Sequence, residues 1–66
     1  MKNTIKVERA IRNLTQEDLA KKVSVSRQTI NAMEANKYVP STVLALKIAK
    51  VFKKSVEEIF ILEKND

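Results

Sequence analysis

The sequence has no glycine, no cysteine and no histidine among its 66 residues. Without glycine there is no phosphate-cradling P-loop and no dinucleotide-binding fingerprint. Without histidine or cysteine there is no Ser-His or Cys-His nucleophile pair and no zinc site of the usual kind. The missing cysteines also exclude a disulfide and fit a reducing, cytoplasmic compartment. We therefore expect a protein that is not an enzyme and needs no metal or cofactor.

Long apolar segments are also missing from the chain. No apolar run approaches the ~18 residues needed to span a membrane, and the first residues lack the apolar segment of a signal peptide. We expect one cytoplasmic domain over residues 1–66, with no membrane contact and no small-molecule ligand. Thirteen basic and eight acidic residues give a net charge of +5. That charge permits nucleic-acid binding, although a solvated basic surface explains it equally well.

Capping and stop signals divide the chain into about five short helices. The first helix is predicted from near Thr4 to Arg12. Capping residues or a proline open the other four, at Thr15, Ser26, Pro40-Ser41 and Ser55. The fourth helix has apolar residues around much of its circumference, which predicts that it is buried centrally.

The C-terminal segment is unusually apolar, with four large apolar residues in a row: Ile59, Phe60, Ile61 and Leu62. They cannot all face one small core, so we expect them to form a dimer surface. Their high β-propensity leaves open a short strand that pairs with the first residues of the chain. A frayed, partly buried end is the third interpretation.

The third helix has two different faces when its residues are placed at about 100° intervals. Ile30 and Met33 share the side that faces the core. The residues opposite or on the flanks are polar or small: Arg27, Gln28, Thr29, Asn31, Ala32 and Ala35. A floor of small alanines lets the helix backbone approach a surface closely, while the longer side chains reach past it.

The polar head groups on this face match the chemistry of base edges in the major groove of DNA. Arginine pairs with guanine, glutamine or asparagine pairs with adenine, and small apolar groups contact the thymine methyl. Arg27, Gln28 and Asn31 carry these groups, and the Thr29 methyl suits thymine. Each residue alone is an ordinary surface residue. Their position on one helix face predicts sequence-specific binding of duplex DNA.

The sequence around this helix resembles the helix-turn-helix of the phage-repressor and Cro-like family, also called the Xre family. The matching motifs are LTQEDLA at 14–20, VSRQTIN at 25–31, Glu34, Pro40-Ser41, LALKIA at 44–49 and VEEIF at 56–60. The resemblance implies a compact, all-α, five-helix domain of the lambda-repressor type over residues 1–66. Short stand-alone members of the family, such as the cytolysin repressor, are similar.

The resemblance also implies roles for individual residues. Gln16 resembles a phosphate-contacting residue, and Arg27, Gln28, Thr29 and Asn31 match the base-reading and nearby phosphate-contacting positions. Asn36, Lys37 and Tyr38 resemble a second clamp on the DNA backbone, although the Tyr38 ring has the alternative of packing on the domain edge. Arg9 and Glu34 match a structural ion pair inside the domain.

The sequence departs from the family at three turns where glycine is usual, which are Ser24, Asn36 and Lys53. A residue with a side chain in the left-handed conformation costs about 1–2 kcal/mol, and least for asparagine. Fewer glycines also reduce the entropy of the unfolded chain, which partly offsets this cost. The fold is therefore expected to persist with local strain at Ser24 and Lys53.

Together these observations predict a transcriptional regulator, in first place a repressor, that binds an inverted-repeat operator in double-stranded DNA as a homodimer. A two-fold dimer would place its reading helices about 34 Å apart, on successive major-groove faces. An antitoxin of a toxin–antitoxin pair is one alternative. A protein-interaction module that has lost DNA binding is another, and a non-specific nucleoid protein is a third.

Overall fold

The computed structural model describes all 66 residues as five helices and a two-stranded antiparallel sheet. The elements are β1 (Lys2–Asn3), α1 (Ile5–Ile11), α2 (Gln16–Val23), α3 (Arg27–Glu34), α4 (Thr42–Phe52), α5 (Val56–Ile59) and β2 (Phe60–Ile61). This architecture confirms the predicted five-helix class with a terminal strand pair. None of the five helices combines the length and the apolar character that a membrane crossing requires.

Hydroxyl side chains begin four of the helices, as the sequence predicts. Thr15 accepts a hydrogen bond from the Asp18 backbone N–H at 3.0 Å, and the Thr15 N–H donates to the Asp18 carboxylate at 2.9 Å. Ser55 and Glu58 form a second capping box in the same way. Ser26 and Ser41 each accept one bond from the third residue of the helix that follows. These caps fix where α2 to α5 begin.

Four helices end at a residue in the left-handed conformation, and none of these residues is glycine. Asn13, Ser24, Asn36 and Lys53 have φ values between 55° and 61°. After each, the next backbone N–H bonds back into the last turn, as Val25 N–H does to the Ala20 carbonyl at 3.0 Å. These bonds satisfy carbonyls that would otherwise lack a partner at the helix end. The helices thus end without glycine. The left-handed conformation is expected to cost about 1–2 kcal/mol of stability at Ser24 and the same at Lys53.

The core is formed by twelve buried apolar side chains, with at least one from every helix. The members with no exposed surface are Ile5, Leu19, Ile30, Met33, Ile48, Phe52 and Ile59. The predicted central burial of α4 is confirmed for one side only: Leu44, Ile48, Ala49 and Phe52 are buried, whereas Val43 and Leu46 are more than half exposed. A protomer of this size covers α4 on one side only.

Half of the apolar C-terminal segment is buried, and the terminal sheet determines which way its two middle residues face. Lys2 pairs with Ile61 and Asn3 pairs with Phe60. Because side chains alternate along a strand, Phe60 turns into the core while Ile61 turns outward. Ile59 is also fully buried, whereas Leu62 is 78% exposed. The prediction of a four-residue exposed surface is therefore corrected: Ile59 and Phe60 belong to the core of their own protomer.

Candidate nucleic-acid interface

The crossing of α2 and α3 is fixed by small and apolar residues around the turn between them. Ala20 is 1% exposed, and Leu19 and Ile30 are fully buried. The Val25 N–H bonds to the Ala20 carbonyl, which ties the turn to the end of α2. A small residue at the closest approach lets two short helices cross steeply. The result is a rigid frame that holds the outer face of α3 at the surface.

The outer face of α3 shows the solvent the polar residues predicted from the helical spacing, and we call it the reading face after its predicted role: Arg27, Gln28, Thr29 and Asn31. Arg27, Gln28 and Asn31 are exposed, and Thr29 is half-buried with its hydroxyl 3.0 Å from that of Ser26. Arg27 and Gln28 lie in the first turn, where no other side chain restrains their head groups. Asn31 lies one turn further along and has a protein partner, described below. The face therefore combines two free head groups with one that is held.

Arg9 and Glu34 lie together behind this face, as a two-pronged ion pair between α1 and α3. Arg9 Nε donates to Glu34 Oε2 at 2.6 Å, and Arg9 Nη2 donates to Glu34 Oε1 at 2.9 Å. Their side chains are 14% and 8% exposed. Burial raises the pKa of Glu34, but the bonds from Arg9 and Gln16 outweigh it and leave that pKa below its usual range. The pair is ionised at neutral pH and connects the first helix to the end of α3.

Gln16, the predicted phosphate-contacting residue, lies between this ion pair and the reading face. Gln16 Nε2 donates to Glu34 Oε1 at 3.2 Å, and Asn31 Nδ2 donates to Gln16 Oε1 at 3.4 Å. The first residue of α2 is thereby linked to the outer face of α3. Two residues predicted separately as phosphate-contacting and base-reading are in direct contact.

The loop after α3 places Asn36, Lys37 and Tyr38 at the surface beside the same helix. Asn3 Nδ2 donates to the Met33 carbonyl at 2.8 Å and lies 3.5 Å from Asn36 Oδ1, so β1 supports the loop. The Tyr38 ring is about half exposed and lines a cleft with Thr29 of α3, the turn after α2 and residues of α4. It therefore packs against the domain edge and still borders the reading face.

Sequence reasoning missed Lys47, an exposed α4 lysine that lines the cleft beside Tyr38. Its position adds a cation next to the reading face. Lys47 lies on a helix whose circumference is largely apolar, and only the folding of α4 beside the turn between α2 and α3 brings it near Thr29. No local sequence signal identifies it as part of this surface.

Sequence reasoning also missed a second buried ion cluster, formed by Glu8 with Arg12 and Lys54. Arg12 Nη1 donates to Glu8 Oε1 at 2.7 Å, and Lys54 Nζ donates to Glu8 Oε2 at 3.0 Å. The bonds from Arg12 and Lys54 hold the pKa of Glu8 below its usual range. Arg12 also donates to the Phe52 carbonyl at 2.6 Å and lies over the Phe52 ring. This cluster joins α1 to the end of α4, and no predicted DNA-binding residue takes part in it.

Comparison with known proteins places the chain among helix-turn-helix proteins. A family model described as helix-turn-helix matches residues 5–59. An uncharacterized HTH-type transcriptional regulator of Methanocaldococcus jannaschii is 61% identical over 66 residues, the whole of both chains. One from Archaeoglobus fulgidus is 50% identical over the whole of this chain and 93% of its own. The uncharacterized HTH-type transcriptional regulator YgzD of Bacillus subtilis is 47% identical over the full length of both.

Proposed function

Because the chain belongs to the helix-turn-helix family of transcriptional regulators, we propose that it represses transcription by binding an inverted-repeat operator as a homodimer. The observation that carries the proposal is the rigid outer face of α3. It shows Arg27, Gln28 and Asn31 to the solvent on a helix whose other side is fully buried. A helix of this kind fits the major groove of B-form DNA.

The residues divide into those that read bases and those that position the protein. Arg27 has the fork geometry for guanine, while Gln28 and Asn31 have the amide geometry for adenine. Gln16 lies beside Asn31 and Glu34 in the second half of α3. The loop with Asn36, Lys37 and Tyr38 follows the end of the helix, and Tyr38 lies beside Thr29. Contacts from Gln16 and from this loop to phosphates fix the register of α3 on the duplex without reading its sequence. Thr29 contacts either a phosphate or a thymine methyl.

The proposed dimer uses the part of the C-terminal segment that stays exposed. Ile61 and Leu62 are 46% and 78% exposed, while Ile59 and Phe60 anchor the same segment in the core. Ile61 ends β2 and Leu62 follows it directly, so two neighbouring apolar side chains are available for a second copy to cover about a two-fold axis. A single module of this size has little surface for tight binding to DNA, which favours two copies on one operator.

Repression follows from occupancy of the operator. A dimer whose two α3 helices lie about 34 Å apart covers successive major-groove faces of an inverted repeat. When that repeat overlaps a promoter, the bound dimer excludes the polymerase. No separate ligand-sensing step enters this mechanism.

Selection of binding sites from random duplex DNA tests the proposal. We expect enrichment of an inverted repeat, and an affinity that falls steeply as the salt concentration rises. Gln28→Ala should lose about 1–3 kcal/mol of preference at one base pair of each half-site. Glu57→Ala changes an exposed residue of α5, far from α3 in the sequence, and as the control should keep the preference. Failure to enrich any sequence, or an affinity that ignores salt, would contradict the proposal.

The dimer is tested by the molecular mass in solution. Leu62→Asp should convert the dimer to a monomer, because it places a carboxylate in the apolar patch. Lys64→Asp places the same group two residues away and should leave the mass unchanged. An unchanged mass in Leu62→Asp would exclude this patch as the dimer surface.

A further inference from the structure

Three side chains form a continuous polar network from the interior of the domain to the reading face. This amide network consists of Glu34, Gln16 and Asn31, joined by hydrogen bonds of 3.2 Å and 3.4 Å. Its inner end is the buried carboxylate that Arg9 holds. Its outer end is an exposed amide on α3. The network therefore connects a fixed charge to a group that the proposed function assigns to base reading.

The buried carboxylate of Glu34 determines how the amide groups of the network are oriented. An ionised carboxylate accepts hydrogen bonds and has no proton to donate. Arg9 keeps Glu34 ionised through two short bonds. Only the nitrogen end of the Gln16 amide can therefore face Glu34, because the reverse orientation would place two oxygens against each other.

The orientation of the Gln16 amide in turn fixes the orientation of the Asn31 amide. With Gln16 Nε2 turned toward Glu34, Gln16 Oε1 points to the other side, where it can only accept. Asn31 must offer it a donor, and the atom found there is Nδ2 at 3.4 Å. The Asn31 amide is thus held with its nitrogen toward Gln16, whereas no comparable partner orients Gln28.

The hydrogen-bond donors and acceptors of Asn31 that remain free determine which base it can bind. An asparagine amide has two N–H donors and one oxygen acceptor, and one donor is used on Gln16. One donor and one acceptor remain, which is the pair that adenine requires at N7 and N6. Guanine shows two acceptors, N7 and O6, and would need two donors. Resting on the proposed function, we infer that Glu34 is a positioning residue that acts through Gln16 and makes Asn31 prefer adenine to guanine.

Competition between duplexes tests the inference. Asn31→Ala first locates the base pair that Asn31 reads, as the position where the preference disappears. Gln16→Met keeps the length of the side chain but removes both hydrogen bonds of the network. We expect it to narrow the preference for adenine over guanine at that base pair by about threefold to tenfold. A residue that only contacts phosphate would instead weaken all duplexes equally.

Glu34→Gln is the second variant, because it leaves Gln16 in place. A neutral amide at position 34 both donates and accepts, so the direction of the network is no longer fixed. The adenine preference should narrow at the same base pair, while the preference at the base pair read by Gln28 should stay. Circular dichroism at the binding temperature verifies that the variant is folded.

Side-chain NMR of the free protein provides a readout that needs neither DNA nor a destabilising variant. The Asn31 Nδ2 protons should shift and become more mobile in Gln16→Met and stay unchanged in Gln28→Ala. If Gln16→Met leaves the Asn31 signals unchanged, the network does not exist and the inference is overturned.

The outcomes separate this inference from the proposed function. If the wild-type protein selects no sequence, the proposed function fails, and the inference fails with it even where the NMR signals are coupled. If the wild-type protein selects an operator but Gln16→Met and Glu34→Gln keep its adenine preference, only the inference fails. A preference that narrows at the Asn31 base pair in both variants supports it.

Discussion

Two neighbouring residues of α1, Glu8 and Arg9, belong to two buried ion clusters that lead to different parts of the molecule. Glu8 binds Arg12 and Lys54, and we call these three residues the Glu8 cluster. Arg9 binds Glu34, and we call this pair the Glu34 cluster. Both carboxylates are almost fully buried and are held by a guanidinium. The Glu8 cluster ends in the packing of α1 on α4, whereas the Glu34 cluster continues through Gln16 to the surface. One buried ion cluster thus ends inside the domain, whereas the other leads to a surface group that we propose to bind DNA.

Loss of the Glu34 carboxylate should have the largest effect. Glu34→Ala leaves the buried charge of Arg9 without a counter-charge and with only the Leu14 carbonyl as a partner, which costs about 3–5 kcal/mol. A chain of this length has only about 3–10 kcal/mol of stability in total. We expect urea denaturation followed by circular dichroism to show a protein near or beyond its unfolding midpoint, with binding to DNA lost.

The matched control for this variant is Glu57→Ala, which removes an exposed carboxylate that forms no ion pair. It should change the free energy of unfolding by less than about 0.5 kcal/mol. Equal stability of the two variants would show that the Glu34 cluster contributes nothing to the fold.

Loss of the Glu8 carboxylate should have a smaller effect and separate the two clusters. Arg12 and Lys54 are 29% and 38% exposed, so water partly replaces Glu8. We expect Glu8→Ala to cost on the order of 2–3 kcal/mol, below the range for a fully buried pair. In the fraction that remains folded, the base preference measured by duplex competition should match the wild type. A changed preference would mean that the Glu8 cluster also reaches the reading face.

Acid should weaken both clusters together. The pKa values of Glu8 and Glu34 lie below their ordinary value of 4.5 in the folded protein. Their stabilisation is therefore complete above about pH 4.5 and is lost as the pH falls through the lowered values. The free energy of unfolding, measured by urea titration at a series of pH values, should be flat near neutrality and fall below pH 4.5.

The capping carboxylates add to this acid dependence in the same direction. Backbone hydrogen bonds at the helix starts also lower the pKa of Asp18 and of Glu58. Glu8→Gln and Glu34→Gln should each reduce the slope below pH 4.5 without removing it. An identical slope in either variant would show that its carboxylate does not contribute.

The smallest expected effect is at the turns, one in each half of the domain. Ser24 follows α2 beside the reading face, and Lys53 follows α4 beside the Glu8 cluster, with φ values of 61° and 56°. Glycine removes the strain but increases the entropy of the unfolded chain. Ser24→Gly and Lys53→Gly should each raise the stability by at most about 1 kcal/mol. Thermal denaturation measures both gains, and a loss at either turn would show that its side chain stabilises the turn.

The sequence predicts the features of this fold that depend on a few adjacent residues. The Thr15 and Ser55 capping boxes and the left-handed stop at Asn36 are confirmed because each is set within one helical turn. The burial of Ile59 and Phe60 could not be predicted, since a run of four apolar residues has no period that shows which side faces inward. The pairing with β1 turns Phe60 inward, and the packing of α5 buries Ile59.

In the candidate site, too, features set by neighbouring residues could be predicted, and features set by contacts between helices could not. Helical spacing is sufficient to predict the shared face of Arg27, Gln28 and Asn31. The bond between Gln16 and Asn31 could not be predicted, because it depends on the angle at which α2 crosses α3. The contact of Lys54 with Glu8 joins residues 46 positions apart, and neither residue carries a local sign of the other.

The terminal strand pair has a consequence for how the protein is made on the ribosome. All the proposed base-reading residues have been synthesised by the end of α3. The core is closed only when Ile59 and Phe60 arrive, and the Ile59 carbonyl then accepts a bond from the Thr4 N–H at 2.9 Å. A nascent chain that has reached α4 would carry every base-reading side chain on an open core, exposed to proteases. The folded support of the proposed base-reading residues therefore depends on a segment that is synthesised after all of them.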